Sequence, residues 1–268
     1  MPEGHTVHRT ANEFNRLFGR RPLAVESPQG RFTESARLVS GSVLLEAKAI
    51  GKQMFLTFEN DLTIRIHLGI YGKWNYHALD ESSSTAPEPV GQVRARFSNS
   101  EAAADLRGPT VCEVITRDEV LMVERRLGPD PLNANPKNIE STRFIERVLQ
   151  SKTPIGLQLM NQDVIAGIGN VYRAEMLFRA GINPHTPGNN LTRDQIQHLW
   201  DDSVKLLKVG VATGHMITRE ELFKKRPKKS ERNFVYKREG LACRECGTSV
   251  VIELMAARKL YWCPGCQR

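Results

Sequence analysis

Four cysteines toward the C-terminal end constrain the fold more than any other feature of the chain. Two residues separate Cys243 from Cys246 and Cys263 from Cys266, and sixteen residues lie between the two pairs. This is the spacing of a four-cysteine zinc site, in which each pair supplies two thiolates and the intervening segment folds as a hairpin. Four thiolates leave no open coordination position, so we predict one structural zinc ion. Cys112 lies far from this cluster and is expected to be a buried, small apolar residue.

Composition and charge limit the class of protein. The chain has 268 residues, 40% hydrophobic and 25% charged, which is typical of a globular protein with one large or two ordinary domains. Its net charge of +8 favours a polyanionic partner such as nucleic acid, although a merely basic protein is the simpler alternative. No run approaches the ~20 apolar residues of a membrane span, and no signal pattern opens the chain. We therefore expect a cytoplasmic protein that is not inserted in a membrane.

The N-terminal part, residues 1–127, is rich in strand signals. Apolar and polar residues alternate over 62–68, which predicts a half-buried strand, and the apolar stretch 54–58 predicts its hairpin partner. Apolar residues at helical spacing over 6–18 predict an opening helix. The polar, proline-bearing segment 79–92 is predicted to be a mobile loop between strands.

The rest of the chain is predicted to form two further domains. Gly128–Pro131 breaks the chain, and residues 132–224 have helical periodicity, including a helix over 170–180 that ends at a glycine. Residues 233–268 contain the four cysteines and form the predicted zinc finger. Between them, six of nine residues in 224–232 are cationic, which is typical of a solvated loop but also suits phosphate contact.

The first residues carry a distinctive chemistry. We expect Met1 to be removed, which leaves Pro2 as a free secondary amine. Such an amine condenses with an aldehyde-level sugar carbon to a permanently charged iminium, which acidifies the neighbouring C–H and favours elimination of phosphate. An α-amino group has a reference pKa of about 7.7–8, well below the ~10.4 of lysine. The carboxyl of Glu3 can donate a proton to the sugar ring oxygen. Without further context, ordinary terminal sequence is the simpler interpretation.

Four separated motifs supply that context. The start Met1–Gly4, the Gly51-Lys52 pair, the stretch 162–175 and the tail 258–267 occur in this order and together resemble the formamidopyrimidine-glycosylase and endonuclease VIII family. The resemblance runs from the first residue to the last few. It implies an α+β fold: an N-terminal β-sandwich with an opening helix, then a helical helix–two-turns–helix domain with a C-terminal zinc-finger β-hairpin.

The resemblance also implies a reaction and its residues. Pro2 attacks the anomeric carbon of a damaged nucleotide and expels the base, Glu3 protonates the ring oxygen, and β- and δ-elimination follow. Lys52 and Arg258 contact phosphates beside the lesion, where fixed cations stabilise developing charge. Asn170 opens a helix whose N-terminus favours an anion. The expected partner is damaged DNA, bound by a bacterial, nucleoid-associated enzyme acting as a monomer.

Two features resemble the endonuclease VIII branch more than its relative. These are the Pro2–Gly4 start and the segment His67–Gly72, and both imply oxidised pyrimidines as substrates. One departure concerns Thr6, which stands where the family commonly has a second glutamate near the flipped nucleotide. His5 is a candidate polar substitute, although a structural histidine is the simpler interpretation.

Gly69, Ile70 and Tyr71 resemble the family loop that fills the gap left by a flipped nucleotide. In this interpretation Ile70 and Tyr71 wedge and stack, while Gly69 departs from the longer polar residue often found there. The alternative is that Tyr71 and Trp74 are core aromatic residues of the strand domain.

Two other functions remain alternatives to an enzyme. The first is a non-catalytic DNA-binding or damage-sensing protein on the same scaffold; retention of Pro2, Glu3 and Lys52 argues against it, and Thr6 argues for it. The second is a zinc-ribbon module that binds proteins. A steep loss of DNA affinity with salt would disfavour that module, because phosphate neutralisation releases counterions.

Overall fold

The protein divides into two compact units. A computed structural model describes residues 2–79, 86–133 and 139–268. One unit, here the N-terminal unit, comprises Pro2 and Thr6–Arg126; the other, the C-terminal unit, comprises Glu3–His5 and Leu127–Arg268. The division into three domains drawn from the sequence stays a prediction. Of the loop predicted over 79–92, residues 80–85 lie outside the described residues.

The described part of the N-terminal unit contains two antiparallel four-stranded sheets. One has the strand order β1-β6-β7-β5 and the other β2-β3-β4-β8, with elements bounded as follows. They are α1 (Gly4–Phe18), β1 (Ala24–Glu26), α2 (Thr33–Val39), β2 (Leu44–Ile50), β3 (Gln53–Phe58), β4 (Leu62–His67), β5 (Lys73–Ala78), β6 (Val93–Ser98), β7 (Ala102–Arg107), β8 (Val111–Thr116) and α3 (Arg117–Arg126).

A single apolar cluster joins these sheets. It includes Phe14 and Phe18 of α1, Leu56 and Ile64 of one sheet and Phe97 of the other, all fully buried. Strands β3 and β4 pair antiparallel, as the alternating pattern predicts. Burial of apolar faces from both sheets and α1 drives this packing. The predicted β-sandwich with an opening helix is confirmed, and α1 begins two residues earlier than its apolar spacing indicates.

The C-terminal unit is helical and ends in a hairpin. Its elements are α4 (Ile139–Leu149), α5 (Ile155–Gln158), α6 (Asn170–Arg179), α7 (Arg193–Thr213), β9 (Val251–Met255) and β10 (Arg258–Trp262). The predicted helical region and hairpin are thereby confirmed. Thr192 and Gln195 form a capping box that starts α7, and Gly214 in the left-handed conformation (φ 73°) ends it. No described helix has the length and apolarity that crossing a membrane requires.

Helix α6 lies at the centre of the C-terminal unit. Nine of its ten residues are buried, and Tyr172 and Met176 pack in a cluster with Leu199 and Leu206 of α7. Its other end contributes Phe178 to a second cluster that contains the cysteines. A helix buried on all sides is held firmly, so it fixes the position of the residues of its own unit that bind its ends.

Candidate active site and metal centre

Glu3 binds the N-terminus of α6. Its side chain is fully buried, and its two carboxylate oxygens accept hydrogen bonds from the backbone N–H groups of Gly169 (2.7 Å) and Val171 (2.9 Å). These are unpaired amides at the start of a helix, where the helix dipole stabilises a negative charge. The charge of Glu3 also acts on Tyr172, whose pKa is raised mainly by burial and further by this carboxylate. Glu3 is therefore an oriented, fixed acidic group.

Glycines at two positions allow this close approach. The N–H of Gly4 donates to the carbonyl oxygen of Gly167 (2.8 Å), and a Cβ on Gly4 would lie 2.9 Å from the Gly167 Cα. A Cβ on Gly169 would lie 2.5 Å from the carboxyl carbon of Glu3. Real Cβ atoms essentially never come so close, so a side chain at position 4 would collide with the backbone of Gly167, and one at position 169 would displace the carboxyl group of Glu3. The Pro-Glu-Gly start and the Gly-Ile-Gly stretch are thus two halves of one contact.

Gln162 holds the loop that precedes α6. Its side-chain oxygen accepts from the N–H of Gly167 (3.0 Å), and its side-chain nitrogen donates to the carbonyl oxygen of Ile168 (3.0 Å). Gly167 has a left-handed backbone (φ 92°), which glycine adopts without strain. The clamp fixes the amides that bind Glu3 before any ligand arrives.

Asn170 and Arg173 attach the hairpin to α6. The side chain of Asn170 donates to the carbonyl oxygen of Lys259 (2.8 Å), and Arg173 donates to the same oxygen (3.1 Å) and to the side chain of Asn170. Burial, and secondarily the charge of Arg258, lowers the pKa of Arg173 to about 10. The predicted DNA contact Asn170 is thus buried and holds the strand that carries Arg258. Arg258 itself is exposed, directly after the two-residue turn Ala256–Ala257.

Lys52 occupies the turn between β2 and β3 in the N-terminal unit. It is half-buried and follows Gly51, whose left-handed backbone (φ 58°) makes the turn. Burial lowers the pKa of His67, and the charges of Lys52 and Arg65 lower it further. A cation therefore stands close to a histidine that stays neutral at physiological pH.

Large apolar side chains are exposed at the turn after β4. Ile70 is 56% exposed and Tyr71 85% exposed, so Tyr71 is not a core aromatic residue. Trp74 instead packs against Phe14, with ring centroids 4.7 Å apart, and the core interpretation holds for it alone. Gly69 has φ 64°, and a Cβ there would meet the Thr110 hydroxyl at 1.9 Å. This explains the missing side chain at position 69.

The residues after Glu3 have different surroundings. His5 is buried, and its ring meets Tyr172 edge-on with centroids 5.4 Å apart, as expected of a structural histidine. Pro2 and Thr6 are half-buried and belong to the N-terminal unit. Pro2 is joined to Glu3 by a peptide bond, so anchoring of the carboxylate also restrains the residue before it.

The four cysteines that were predicted to be metal ligands lie close together. The sulfur atoms of Cys243, Cys246, Cys263 and Cys266 all lie within 4.8 Å of one another, with 3.8 Å between Cys243 and Cys266 and 3.5 Å between Cys246 and Cys263. A disulfide needs about 2.05 Å, whereas a tetrahedral ion with bonds of about 2.3 Å to sulfur separates its ligands by about 3.8 Å. The donor set therefore fits one metal ion.

Several known proteins are similar to this chain in sequence. Residues 1–112 match the family described as Formamidopyrimidine-DNA glycosylase N-terminal domain, and residues 127–221 match Formamidopyrimidine-DNA glycosylase H2TH domain. The chain is 44% identical over 273 residues to Endonuclease 8 1 of Mycobacterium tuberculosis, covering 100% of both chains. It belongs to the formamidopyrimidine-DNA glycosylase and endonuclease VIII family. The formamidopyrimidine-DNA glycosylase of Desulfitobacterium hafniense is 30% identical, covering 100% of this chain and 98% of its own.

Solved structures share the fold of this family member. A point mutant of the Lactococcus lactis Fpg bound to DNA containing Fapy-dG superposes with a TM-score of 0.81 at 24% identity, and the match covers 100% of both chains. The same enzyme with abasic-site DNA gives 0.81 at 23% identity and covers 99% of each chain.

Sequence reasoning assigned no role to two buried charges of α6. These residues are Arg173 and Glu175, and both are fully buried. The carboxylate of Glu175 accepts from the backbone N–H groups of residues 234–236 at 2.7 to 2.8 Å. It fixes the segment that precedes the cysteine cluster. Charged residues inside an otherwise apolar helix were the available signal, since buried charges require partners.

Proposed function

We propose that this protein is a bifunctional DNA glycosylase and AP lyase of base excision repair. Its membership of the family and its 44% identity to an Endonuclease 8 1 support this activity. The observation that carries the mechanism is the double hydrogen bond of Glu3 to the N-terminus of α6, since a buried carboxylate beside the first amine is positioned for acid–base chemistry. The relatives give the non-catalytic alternative no support.

The amine of Pro2 is the proposed nucleophile. Its lone pair attacks C1′ of the damaged nucleotide, the C1′–N-glycosidic bond breaks, and the base leaves with its electron pair and takes up a proton. The ammonium formed at Pro2 loses its proton as the sugar ring opens between C1′ and O4′, which yields an iminium. This cation withdraws electrons without a further proton, so a proton is lost from C2′ and its bonding electrons expel the 3′-phosphate as the C3′–O bond breaks. Loss of a proton from C4′ then expels the 5′-phosphate as the C5′–O bond breaks.

Glu3 is the proposed proton carrier. Its two carboxylate oxygens accept hydrogen bonds from backbone N–H groups, and a carboxylate held in this way can take up and release a proton. In the proposed step, the carboxylate takes the proton from the Pro2 ammonium and passes it to O4′. The amides of Gly169 and Val171 keep the group oriented, so no reorganisation is needed during the step.

Lys52, Asn170 and Arg258 are proposed to hold the DNA backbone. Arg258 is exposed on a hairpin that Asn170 fixes, and its planar guanidinium can bind a phosphate through two parallel hydrogen bonds. Lys52 in a tight turn supplies a point charge. Asn170 contributes mainly through the hairpin, because its side-chain nitrogen already donates to Lys259.

Gly69, Ile70 and Tyr71 are proposed to fill the duplex after base flipping. Extrusion of a nucleotide costs a few kcal/mol, and an apolar wedge with an aromatic ring compensates by stacking. The exposure of Ile70 and Tyr71 supports this role, since two adjacent large apolar side chains in solvent can contact a binding partner. Gly69 shapes the turn that presents them.

The proposed substrates are oxidised pyrimidines in DNA. The endonuclease 8 relative supports this choice, whereas the solved structures that share the fold contain Fapy-dG and 8-oxo-G DNA. A cleavage panel of oxidised pyrimidines and purines, in single and double strands, distinguishes them: we expect pyrimidine lesions to be removed faster. Faster removal of 8-oxo-guanine would contradict the assignment.

Zinc is the proposed ion of the cysteine site, because four thiolates in tetrahedral arrangement are its usual structural ligands. When bound, it supplies folding energy and no reactive position. Cys243, Cys246, Cys263 and Cys266 hold it. The relatives named above come from bacteria, and we infer that the enzyme works as a monomer on nucleoid DNA in the cytoplasm.

Borohydride trapping tests the proposed activity. Reduction of the iminium should join the enzyme covalently to abasic-site DNA, and a variant with one residue inserted before Pro2 should not be joined, because its proline nitrogen is an amide. Equal trapping of both proteins would contradict the proposal, as would a native chain that binds the DNA and is never trapped.

A further inference from the structure

A short cationic segment of the C-terminal unit is not used by the proposed mechanism. This basic segment, Lys224–Lys229, contains five cations, and all five are exposed. The remaining residue, Pro227, is buried, and its carbonyl oxygen accepts a hydrogen bond from Arg232 (3.2 Å). The segment therefore presents several positive charges from a fixed piece of backbone, which is unlike a solvated tail.

The two carboxylates that precede the basic segment pair with other cations, whereas the one that follows it, Glu231, accepts a hydrogen bond from a backbone N–H of the segment itself (2.7 Å). Glu220 pairs with Arg179 (2.6 Å) and Lys205 (2.5 Å), and hydrogen bonds from these two cations lower its pKa to about 2. Glu221 pairs with Arg219 (2.5 Å). Within the described ranges, no carboxylate lies at ion-pair distance from the five cations of the segment. Their charge is consequently available to an external anion.

Arg244 connects the residues that follow the basic segment to the metal site. It lies between the ligands Cys243 and Cys246, and its guanidinium donates to the carbonyl oxygens of Ser230 (2.9 Å) and Asn233 (3.1 Å). One planar group thus spans two backbone positions just after the basic segment.

Two further hydrogen bonds hold the residues that follow the basic segment, and one of the donors also binds α6. Arg219 donates to the carbonyl oxygen of Glu231 (2.9 Å), and the N–H of Thr218 donates to that of Arg232 (3.0 Å). The hydroxyl of Thr218 in turn donates to Glu175 of α6 (2.5 Å). The helix that binds Glu3 and holds the Arg258 hairpin therefore also supports the basic segment.

We propose that the basic segment is an accessory phosphate-binding surface for the DNA backbone, and that Arg244 couples its position to the metal site. The inference rests on the proposed function, since it assigns an additional contact to the same substrate. Lysine side chains act as point charges on phosphates and read no bases, so the contact is independent of sequence and of lesion.

The salt dependence of binding measures this contact directly. Each phosphate neutralised on duplex DNA contributes about 0.9 to the slope of log affinity against log salt concentration. The probe is a duplex with a tetrahydrofuran abasic analogue, which the enzyme binds without cleaving. In the test variant, Lys224, Lys225, Lys228 and Lys229 are changed to glutamine. In the control, four exposed cations of the N-terminal unit are changed in the same way: Arg31, Arg37, Arg125 and Arg126.

We expect the slope to fall by about 1.8–3.6 in the lysine variant, which corresponds to two to four lost phosphate contacts. Its single-turnover cleavage rate at saturating enzyme should stay native, because the segment touches no reacting atom. An unchanged slope would overturn the proposal that the basic segment binds phosphates. So would an equal fall in the control, because net charge alone would then account for the loss.

Two variants test the coupling. Arg244→Gln should lower the slope while retaining the native zinc content, and Arg219→Gln, which removes an anchor outside the finger, should lower it as well. If both variants keep the salt-dependence slope of the native protein, the proposed coupling between the metal site and the basic segment is wrong. Trapping by borohydride separates this inference from the proposed function: if the native chain is trapped and the slopes are all equal, only the accessory surface is wrong.

Discussion

Replacement of Gly169 by alanine should displace Glu3 while leaving every titratable side chain chemically unchanged. Gly169 has φ −129° and ψ −161°, which alanine adopts without strain. The new Cβ would lie 2.5 Å from the carboxyl carbon of Glu3, whereas ordinary contact begins at 3.4 Å, so the carboxyl must retreat by about 0.9 Å (3.4 minus 2.5 Å). Glu3 is fully buried, and its retreat lengthens the bonds to both amides.

The expected effects follow from that displacement. A hydrogen bond to a charged group contributes about 1.5–3 kcal/mol, and loss of one such bond corresponds to a fall in melting temperature of about 3–12 °C for a chain of this size. Misplacement of a catalytic group by about 1 Å costs about a hundredfold in rate. Gly169→Ala should therefore remain folded at 25 °C and lose about two orders of magnitude in abasic-site cleavage.

Single-turnover cleavage of an abasic-site duplex, together with thermal unfolding, measures both effects. Gly240→Ala is the matched control: its Cβ meets nothing within 4 Å, while its left-handed backbone (φ 76°) costs alanine about 1–2 kcal/mol. The control should lose comparable stability and keep its rate. A Gly169→Ala enzyme with native rate, or a control that slows as much, would refute the link between Glu3 placement and catalysis.

Other consequences can be checked separately. Alanine at Ile70 or Tyr71 should change the free energy of unfolding by less than about 0.5 kcal/mol, since both are exposed, yet should slow base removal from duplex more than from single strands; equal slowing on both would contradict the wedge. The lowered pKa of His67 means that stability is lost as pH falls below about 6.5, and His67→Gln should flatten this loss in urea unfolding between pH 5 and 7.5. Lys52→Gln should raise the pKa of His67 in an NMR titration, and an unchanged value would show that the two are not coupled. Cys246→Ser should lose bound zinc, measured by atomic emission, and DNA affinity with it; retained metal would contradict the four-ligand site.

Local patterns predicted the parts of the fold that depend on neighbours in sequence. Two Cys-x-x-Cys pairs identify a metal site because each pair already sets two ligands side by side. The alternation of residues 62–68 predicts β4 for a similar reason, as one face of that strand is buried. By contrast, α3 has no buried residue, so it lacks the apolar stripe from which a surface helix is recognised.

Contacts between distant residues could not be read in this way. No local pattern explains Gly4 and Gly169, and only the contact of Glu3 with a loop more than 160 residues away does. Arg173 is similar: its partners include the Lys259 carbonyl oxygen, which no local pattern indicates. Gly69 departs from the residue often found there in the family, and the reason is the Thr110 hydroxyl, which would collide with a side chain at position 69.

The identity of the trapped nitrogen tests the central claim most directly. After borohydride reduction on abasic-site DNA, proteolysis and mass spectrometry locate the sugar remnant on the polypeptide. The account predicts the remnant on the α-nitrogen of Pro2, in the peptide that also contains Glu3, with Met1 absent. A remnant on a lysine ε-nitrogen such as that of Lys52, with Pro2 unmodified, would contradict it.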